Sequence, residues 1–147
     1  NNPLGLVQFD LDIVGLPTPV WHFTGKDKGE RPVYENAYKY VPSKDAYREW
    51  PIRKGLQKVD AVGTGCILIA RRVFESSDMR EAPFQRTFNR DGTVERGNDI
   101  AFCERARKNG FQVFAHFDYR CMHFNELELH EVMGAFHDLY KKESVNA

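Results

Sequence analysis

The sequence lacks an excess of either charge, since 21 lysines and arginines balance 21 aspartates and glutamates. Binding to nucleic acid through the phosphates alone needs a basic surface, and this composition gives no signal for one. Long hydrophobic runs are also missing. The run Cys66-Ile67-Leu68-Ile69-Ala70 is far shorter than the roughly 20 apolar residues of a membrane span. We therefore expect a soluble, cytoplasmic protein with no nucleic-acid partner and no transmembrane segment.

Cysteine is scarce as well. The chain has Cys66, Cys103 and Cys121, and no two of them have the C-x-x-C spacing. An odd number at these spacings argues against a disulfide framework or a zinc knuckle. We interpret all three as small, buried apolar side chains.

The chain does have the material for a hydrophobic core. Its 147 residues are 41% hydrophobic and 13% aromatic, which fits one folded domain spanning residues 1–147 and excludes a disordered chain. The sequence opens at Asn1 without a methionine, and we expect it to be a piece of a longer protein.

Local patterns predict alternating strands and helices, and hence an α/β fold with a mixed sheet flanked by helices. We expect edge strands within the aromatic segment 21–50 and a loop over 82–97 with a turn at 89–92. Asn98 is the predicted helix cap, and Gly110 the predicted left-handed stop. The predicted strands cover 11–16, 66–70 and 111–119, and the predicted helices cover 71–75, 99–109 and 126–142.

Two features could form a substrate site. The turn Gly63-Thr64-Gly65 precedes a strand, and glycine allows a substrate close to the backbone; a plain tight turn explains it equally. Asp99 opens a helix, where the dipole stabilises a carboxylate. It is either a partner for that dipole or a base facing a cleft.

Acidic and histidine residues suggest a metal. In Asp10-Leu11-Asp12 both carboxylates could coordinate a divalent cation if the segment is extended, because they would then point to the same side. The alternative is that Asp10 closes a loop and Asp12 begins a strand, with no metal bound. His123 follows a strand and is either a ligand or a structural hydrogen-bonding group. A metal-dependent hydrolase built on Asp10, Asp12, His116 and His123 would need all four within reach of one ion.

Taken in order, these segments resemble the C-terminal half of a glycosyltransferase of the GT-A type, close to glycosyltransferase family 2 and its viral or phage-like relatives. The resemblance covers about residues 10–125. It runs from Asp12-Ile13-Val14-Gly15 through the segment 59–74 and Gly97-Asn98-Asp99 to Cys121-Met122-His123. The family usually has G-E-D-x-D-F-C where this chain has residues 97–103, so Asn98 and Ala101 replace two acidic residues.

The resemblance implies transfer of a sugar from a nucleotide-diphospho-sugar to a hydroxyl of a saccharide, protein or lipid acceptor. Asp99 would be the catalytic base, and His123 would complete the coordination of Mn²⁺ or Mg²⁺, with Asp10 and Asp12 as further candidate ligands. The implied substrate-binding residues are Gly63, Thr64, Gly65, Asn98 and Arg71.

The segment Asp12-Ile13-Val14-Gly15 resembles a strand that lies downstream of the family's metal-binding D-x-D motif. We therefore expect the true motif and the nucleotide-binding half to precede Asn1, so that this chain would be the acceptor-side part of the domain. The aromatic residues Trp21, Tyr34 and Trp50 could stack on sugar rings or pack in the core. A catalytically inactive binding or assembly module on the same fold is the alternative to the enzyme.

Overall fold

The computed structural model describes residues 3–21, 33–119, 121 and 133–134. Within these residues the chain forms a mixed α/β fold with few helices. A 3-10 helix at Pro3–Phe9 precedes the strands, and a second lies at Pro42–Lys44. The α-helices are α1 (Arg71–Glu75), α2 (Ser77–Arg80) and α3 (Asn98–Lys108). The strands are β1 (Ile13–Gly15), β2 (Pro19–Trp21), β3 (Val33–Glu35), β4 (Ala37–Val41), β5 (Ala46–Glu49), β6 (Leu56–Lys58), β7 (Ala61–Val62), β8 (Ile67–Ile69), β9 (Thr87–Phe88), β10 (Val94–Arg96) and β11 (Val113–His116).

A four-stranded mixed sheet in the order β6-β11-β1-β8 forms the centre of the fold. Its two inner strands, β1 and β11, are parallel, with Ile13 opposite Val113 and Gly15 opposite Ala115. The outer strands β6 and β8 are antiparallel to their neighbours. The predicted mixed sheet is therefore confirmed.

Successive side chains of these strands point to opposite faces of the sheet, and both faces are apolar. Ile13, Val113 and Ala115 belong to the main core, which also contains Phe102 and Cys103 of α3. The residues between them point to the opposite face and form a smaller cluster with the N-terminal 3-10 helix. That cluster is built on Leu6, Val14 and Leu16, with Leu68, Phe114, Cys66 and Cys121 packed against it.

The remaining strands form three small antiparallel units: β5-β4-β7, β2-β3 and β9-β10. Strands β3, β4 and β5 confirm the expectation of strands within residues 21–50. The turn at 89–92 is also confirmed, because Gly92 N donates to Asn89 O at 3.0 Å. The prediction of a loop over 82–97 is wrong in part, since β9 and β10 pair on either side of that turn.

Helix α3 begins at Asn98, one residue before the predicted start, and ends at Lys108. Gly97 has the extended backbone of a cap, with φ −61° and ψ 162°, so the prediction of Asn98 as the cap is wrong. Gly110 has φ +84°, which confirms it as the left-handed stop. The predicted strand 111–119 is too long, because the observed strand β11 covers only Val113–His116. The predicted helix 126–142 lies outside the described residues except at 133–134. No helix in the described ranges is long and apolar enough to cross a membrane.

Two glycines allow close approaches to the small sheet containing β7: one from the central sheet, and one between two segments that flank the small sheet's own strands. A Cβ added at Gly15 would lie 2.6 Å from a methyl carbon of Val62, so glycine lets β7 pack directly on β1. A Cβ added at Gly63 would lie 2.0 Å from Nδ2 of Asn36. Both positions therefore require glycine for space rather than for an unusual φ.

Asn36 is held rigidly against Gly63 by a buried polar pair. Its Oδ1 accepts from Thr18 N at 2.8 Å, and its Nδ2 donates to Thr18 Oγ1 at 2.7 Å. Gly63 N donates to Asn36 O at 2.7 Å. Both side chains are buried, so leaving one of these groups without a partner would cost free energy.

We predict that Gly63→Ala lowers the free energy of unfolding by about 2 kcal/mol or more, because the new methyl group must displace the Asn36 amide from Thr18. Gly65→Ala in the same turn is the control. Its Cβ would lie 3.3 Å from Thr18 Oγ1, and we expect a loss below about 1 kcal/mol. Urea denaturation measures both. In an Asn36→Ala background, Gly63→Ala should cost less; an equal cost in both backgrounds would contradict the steric explanation.

Candidate functional site

The glycine turn 63–65 lies at the carboxyl edge of the parallel pair β1–β11. Leu16, directly after β1, donates its N–H to the carbonyl of Cys66 at 2.8 Å. In sheets with parallel strands, ligands bind in the crevice outside the carboxyl ends of those strands. Thr64 and Gly65 are exposed and Gly63 is buried on Asn36, so the turn presents open backbone at this edge.

Asp99 lies toward the same edge. Residues 109–112 connect α3 to β11, so the helix runs back along the strand with its N-terminus toward the carboxyl edge. The Sγ atom of Cys103, one turn after Asp99, is 3.7 Å from the carbonyl oxygen of Val62, which precedes Gly63. The structure therefore brings Asp99 and the glycine turn to one side of the fold.

The carboxylate of Asp99 is half-buried, and Oδ1 accepts from Ile100 N at 2.9 Å. This N–H belongs to the first turn of α3, where the helix has no internal acceptor for it. Among the described residues no hydrogen bond engages Oδ2. One oxygen thus stabilises the helix and the other remains available. Asn98, the neighbouring predicted substrate residue, is exposed.

The charge of Asp99 acts on the side chain of Tyr38, a residue to which the sequence pattern assigned no role. Burial raises the pKa of Tyr38, and the neighbouring Tyr34 and the charge of Asp99 raise it further. The rings of Tyr34 and Tyr38 are edge-to-face, with centroids 6.2 Å apart. Tyr38 therefore keeps its proton at neutral pH. Trp50 packs against the main core, and the side chain of Trp21 lies outside the described part of the chain.

Asp10 and Asp12 lie at the opposite edge, where β1 begins. Arg72 donates from Nε to Asp12 Oδ1 at 2.7 Å and from Nη1 to Asp10 Oδ1 at 3.0 Å. The second oxygen of Asp12 accepts from Gln112 N at 3.0 Å. Both carboxylates are thus compensated by an arginine. Burial raises the pKa of Asp12, but the hydrogen bonds from Arg72 and Gln112 outweigh it, so the pKa lies below its ordinary value.

Arg71, the remaining predicted substrate residue, is also at this opposite edge. It begins α1 directly after Ala70, whose N–H donates to Asp12 O at 2.8 Å. Its side chain is 93% exposed and pairs with Glu75 at 3.2 Å. The structure therefore does not bring Arg71, Asp10 or Asp12 together with the glycine turn and Asp99.

The described residues contain no group of three or more histidine, cysteine or acidic side chains that could hold a metal ion. His123 lies outside the described residues. The four-ligand hydrolase hypothesis stays a prediction, because His123 lies outside the described residues. The structure does place Asp12 and His116 at different levels of the sheet, since Asp12 precedes β1 while His116 ends the parallel strand β11. About four residues of strand, roughly 13 Å, separate these levels. His116 is instead buried against the rings of Phe9 and Tyr119.

An open cleft of about 540 Å³ lies elsewhere, where α3 meets the β9-β10 hairpin and the sheet containing β4. Several of its charged groups are paired: Arg96 contacts Asp45 at 2.6 Å and Glu104 at 3.2 Å, and Arg107 contacts Asp60 at 2.8 Å. These pairs tie three elements together, and we interpret the network as structural. The cleft is lined by Tyr40, Asp45, Thr87, Glu95, Arg96, Glu104, Arg107 and Lys108.

We predict that Asp12 contributes stability at neutral pH that disappears in acid. Because the folded-state pKa of Asp12 lies below its unfolded value of about 3.9, the stabilisation is fully present above that value and is lost as the pH falls through the folded pKa. Asp12→Asn should lower the free energy of unfolding at pH 7 by up to about 1 kcal/mol and by less near pH 2.

The matched control for this pH dependence is Asp10→Asn, since the Asp10 side chain is 90% exposed against 22% for Asp12. Urea denaturation of both variants and the unmodified chain at the two pH values provides the comparison. A loss for Asp12→Asn that is equal at both pH values would contradict the electrostatic origin.

No protein-family model matches this chain, and no curated protein is significantly similar to it in sequence.

Proposed function

We propose that the chain is the acceptor-side part of a GT-A type glycosyltransferase domain. It would transfer a sugar from a nucleotide-diphospho-sugar to the hydroxyl of a saccharide, protein or lipid acceptor. The observation that carries the proposal is the arrangement of Asp99 and the turn 63–65 at one edge of the sheet. These two features are far apart in sequence, and a shared substrate cleft gives a reason for their proximity.

Asp99 has the properties that a general base needs. Its Oδ1 fixes the carboxylate by accepting from Ile100 N, so the group is oriented before the substrate binds. The helix N-terminus stabilises its negative charge. Oδ2 would accept the proton of the acceptor hydroxyl while that oxygen attacks the sugar carbon and the diphosphate departs.

The glycine turn would supply the surface on which the substrates lie. Gly65 and Thr64 are exposed, whereas Gly63 is fixed from below by Asn36. A sugar ring can approach such a backbone closely, because no Cβ projects from the glycines. The neutral hydroxyl of Tyr38, near Asp99, is a further hydrogen-bonding group at this edge.

The proposal includes a divalent cation, Mn²⁺ or Mg²⁺, which would neutralise the charge of the departing diphosphate. The described residues do not fit it: Asp10 and Asp12 are bound by Arg72 at the opposite edge. Of the predicted ligands only His123 stays a candidate. We therefore derive no step through the metal.

We predict that Asp99→Asn lowers the transfer rate at least about a hundredfold, the usual contribution of a general base. The amide oxygen of asparagine can still accept from Ile100 N, so the helix should keep its stability and donor affinity should stay the same. The rate is measured in the full-length protein that includes the expected nucleotide-binding half, as release of nucleoside diphosphate from a panel of nucleotide-sugars with Mn²⁺ and mixed acceptors.

Asp78→Asn is the control for this experiment. Asp78 is an exposed carboxylate in the first turn of α2, so the same chemical change occurs at another helix start. Its transfer rate should equal that of the unmodified chain. Unchanged turnover in Asp99→Asn would remove Asp99 from the role of base.

The alternative, a catalytically inactive binding or assembly module, is favoured by Asn98 and Ala101, which replace the acidic residues usual in the resembling family. Calorimetric titration of the same full-length protein with nucleotide-sugars and Mn²⁺, together with the turnover assay, separates the two. An enzyme binds a donor and releases nucleoside diphosphate. Donor binding without turnover indicates the inactive module.

A further inference from the structure

Cys66 and Cys121 are in direct contact, although they lie far apart in the sequence. The Cys66 thiol donates a hydrogen bond to the Cys121 sulfur. Neither cysteine is in a disulfide bond and both are half-buried, and both pack against the cluster of Leu6, Val14 and Leu16. Cys66 follows the glycine turn and Cys121 follows β11, so the contact joins two segments at the carboxyl edge of the sheet.

The third cysteine is separated from this pair by the sheet itself. Cys103 belongs to the main core on the opposite face and contacts the carbonyl oxygen of Val62. It is fully buried, whereas Cys66 and Cys121 are partly exposed. A thiol reagent in solution should therefore react with Cys66 or Cys121 before it reacts with Cys103.

We propose that Cys66 and Cys121 form a reversible disulfide bond, which makes this pair a redox modification site of the fold. The sulfurs are already neighbours, and the bond requires them to move to a separation of about 2.05 Å. The proposal does not rest on sugar transfer.

The oxidant is a small-molecule disulfide of the glutathione type. One protein thiolate attacks it, forming a mixed disulfide and releasing one glutathione thiol. The second protein thiolate then attacks the protein sulfur of that mixed disulfide and expels the second glutathione. The two thiol protons pass to the released thiolates. The protein loses two electrons, and the small disulfide gains them.

The bond would tie the segment after β11 to the segment after the glycine turn. In the reduced chain the hydrophobic cluster and the hydrogen bond between the two thiols help to hold these segments together. A covalent link between residues far apart in sequence restricts the unfolded chain. Oxidation should therefore raise the thermal midpoint by several degrees.

The test is incubation of the full chain with oxidised glutathione, followed by intact mass measurement and peptide mapping under non-reducing conditions. We expect a loss of about 2 Da and a linked peptide pair containing Cys66 and Cys121, both reversed by dithiothreitol. Cys103 should remain free. Cys103→Ala is the control and should form the same bond.

The single variants Cys66→Ser and Cys121→Ser test the second step. Each should stop at the mixed disulfide and carry one glutathione, because no neighbouring thiol is left to expel it. Three results would overturn the proposal: no bond in the unmodified chain, a bond involving Cys103, or accumulation of glutathione on Cys66 or Cys121 when both are present. An oxidised chain without a higher thermal midpoint would contradict the proposed tether.

Discussion

The buried pair of Asn36 with Thr18 fixes the relation between the central sheet and the small sheet containing β4, which share no strand. The pair is buried, and both the oxygen and the nitrogen of the Asn36 amide are hydrogen-bonded to Thr18. These two bonds fix the segment after β1 relative to the segment before β4. Gly63 N then bonds to the Asn36 carbonyl. The location of the glycine turn therefore follows from a satisfied buried polar group, which tolerates little displacement.

The parallel pairing of β1 with β11 divides the charged groups of the fold between two edges. Where β1 begins, Arg72 forms ion pairs with both Asp10 and Asp12, so the negative charge of each carboxylate has a cationic partner. At the carboxyl edge, Asp99 has no cationic partner in the described part of the chain. An unbalanced, oriented carboxylate beside open backbone is what distinguishes this edge chemically.

Local patterns predicted β1, β8, α1 and the end of α3 because each depends on neighbouring residues: apolar runs, a dipole-matched helix and the left-handed glycine Gly110. The β9-β10 hairpin was missed because its strands are very short and exposed. The pairing of Arg72 with Asp12 could not be predicted, since the two residues are far apart in sequence and D-x-D alone suggests a metal. The Thr18–Asn36 pair could not be predicted either, because these two residues are also distant in sequence and no local pattern indicates that they pair.

The choice between an enzyme and an inactive module depends on two residues of α3 with different surroundings. Asn98 is exposed, so a carboxylate there would be solvated, and its replacement leaves the packing unchanged. Ala101 is 3% exposed in the core, where a carboxylate without partners would carry a large desolvation cost. Alanine at this position therefore suits the packing of α3 in this chain. The helix that carries Asp99 is intact, so in the proposed enzyme proton removal would depend on this one carboxylate, where the resembling family has three acidic residues.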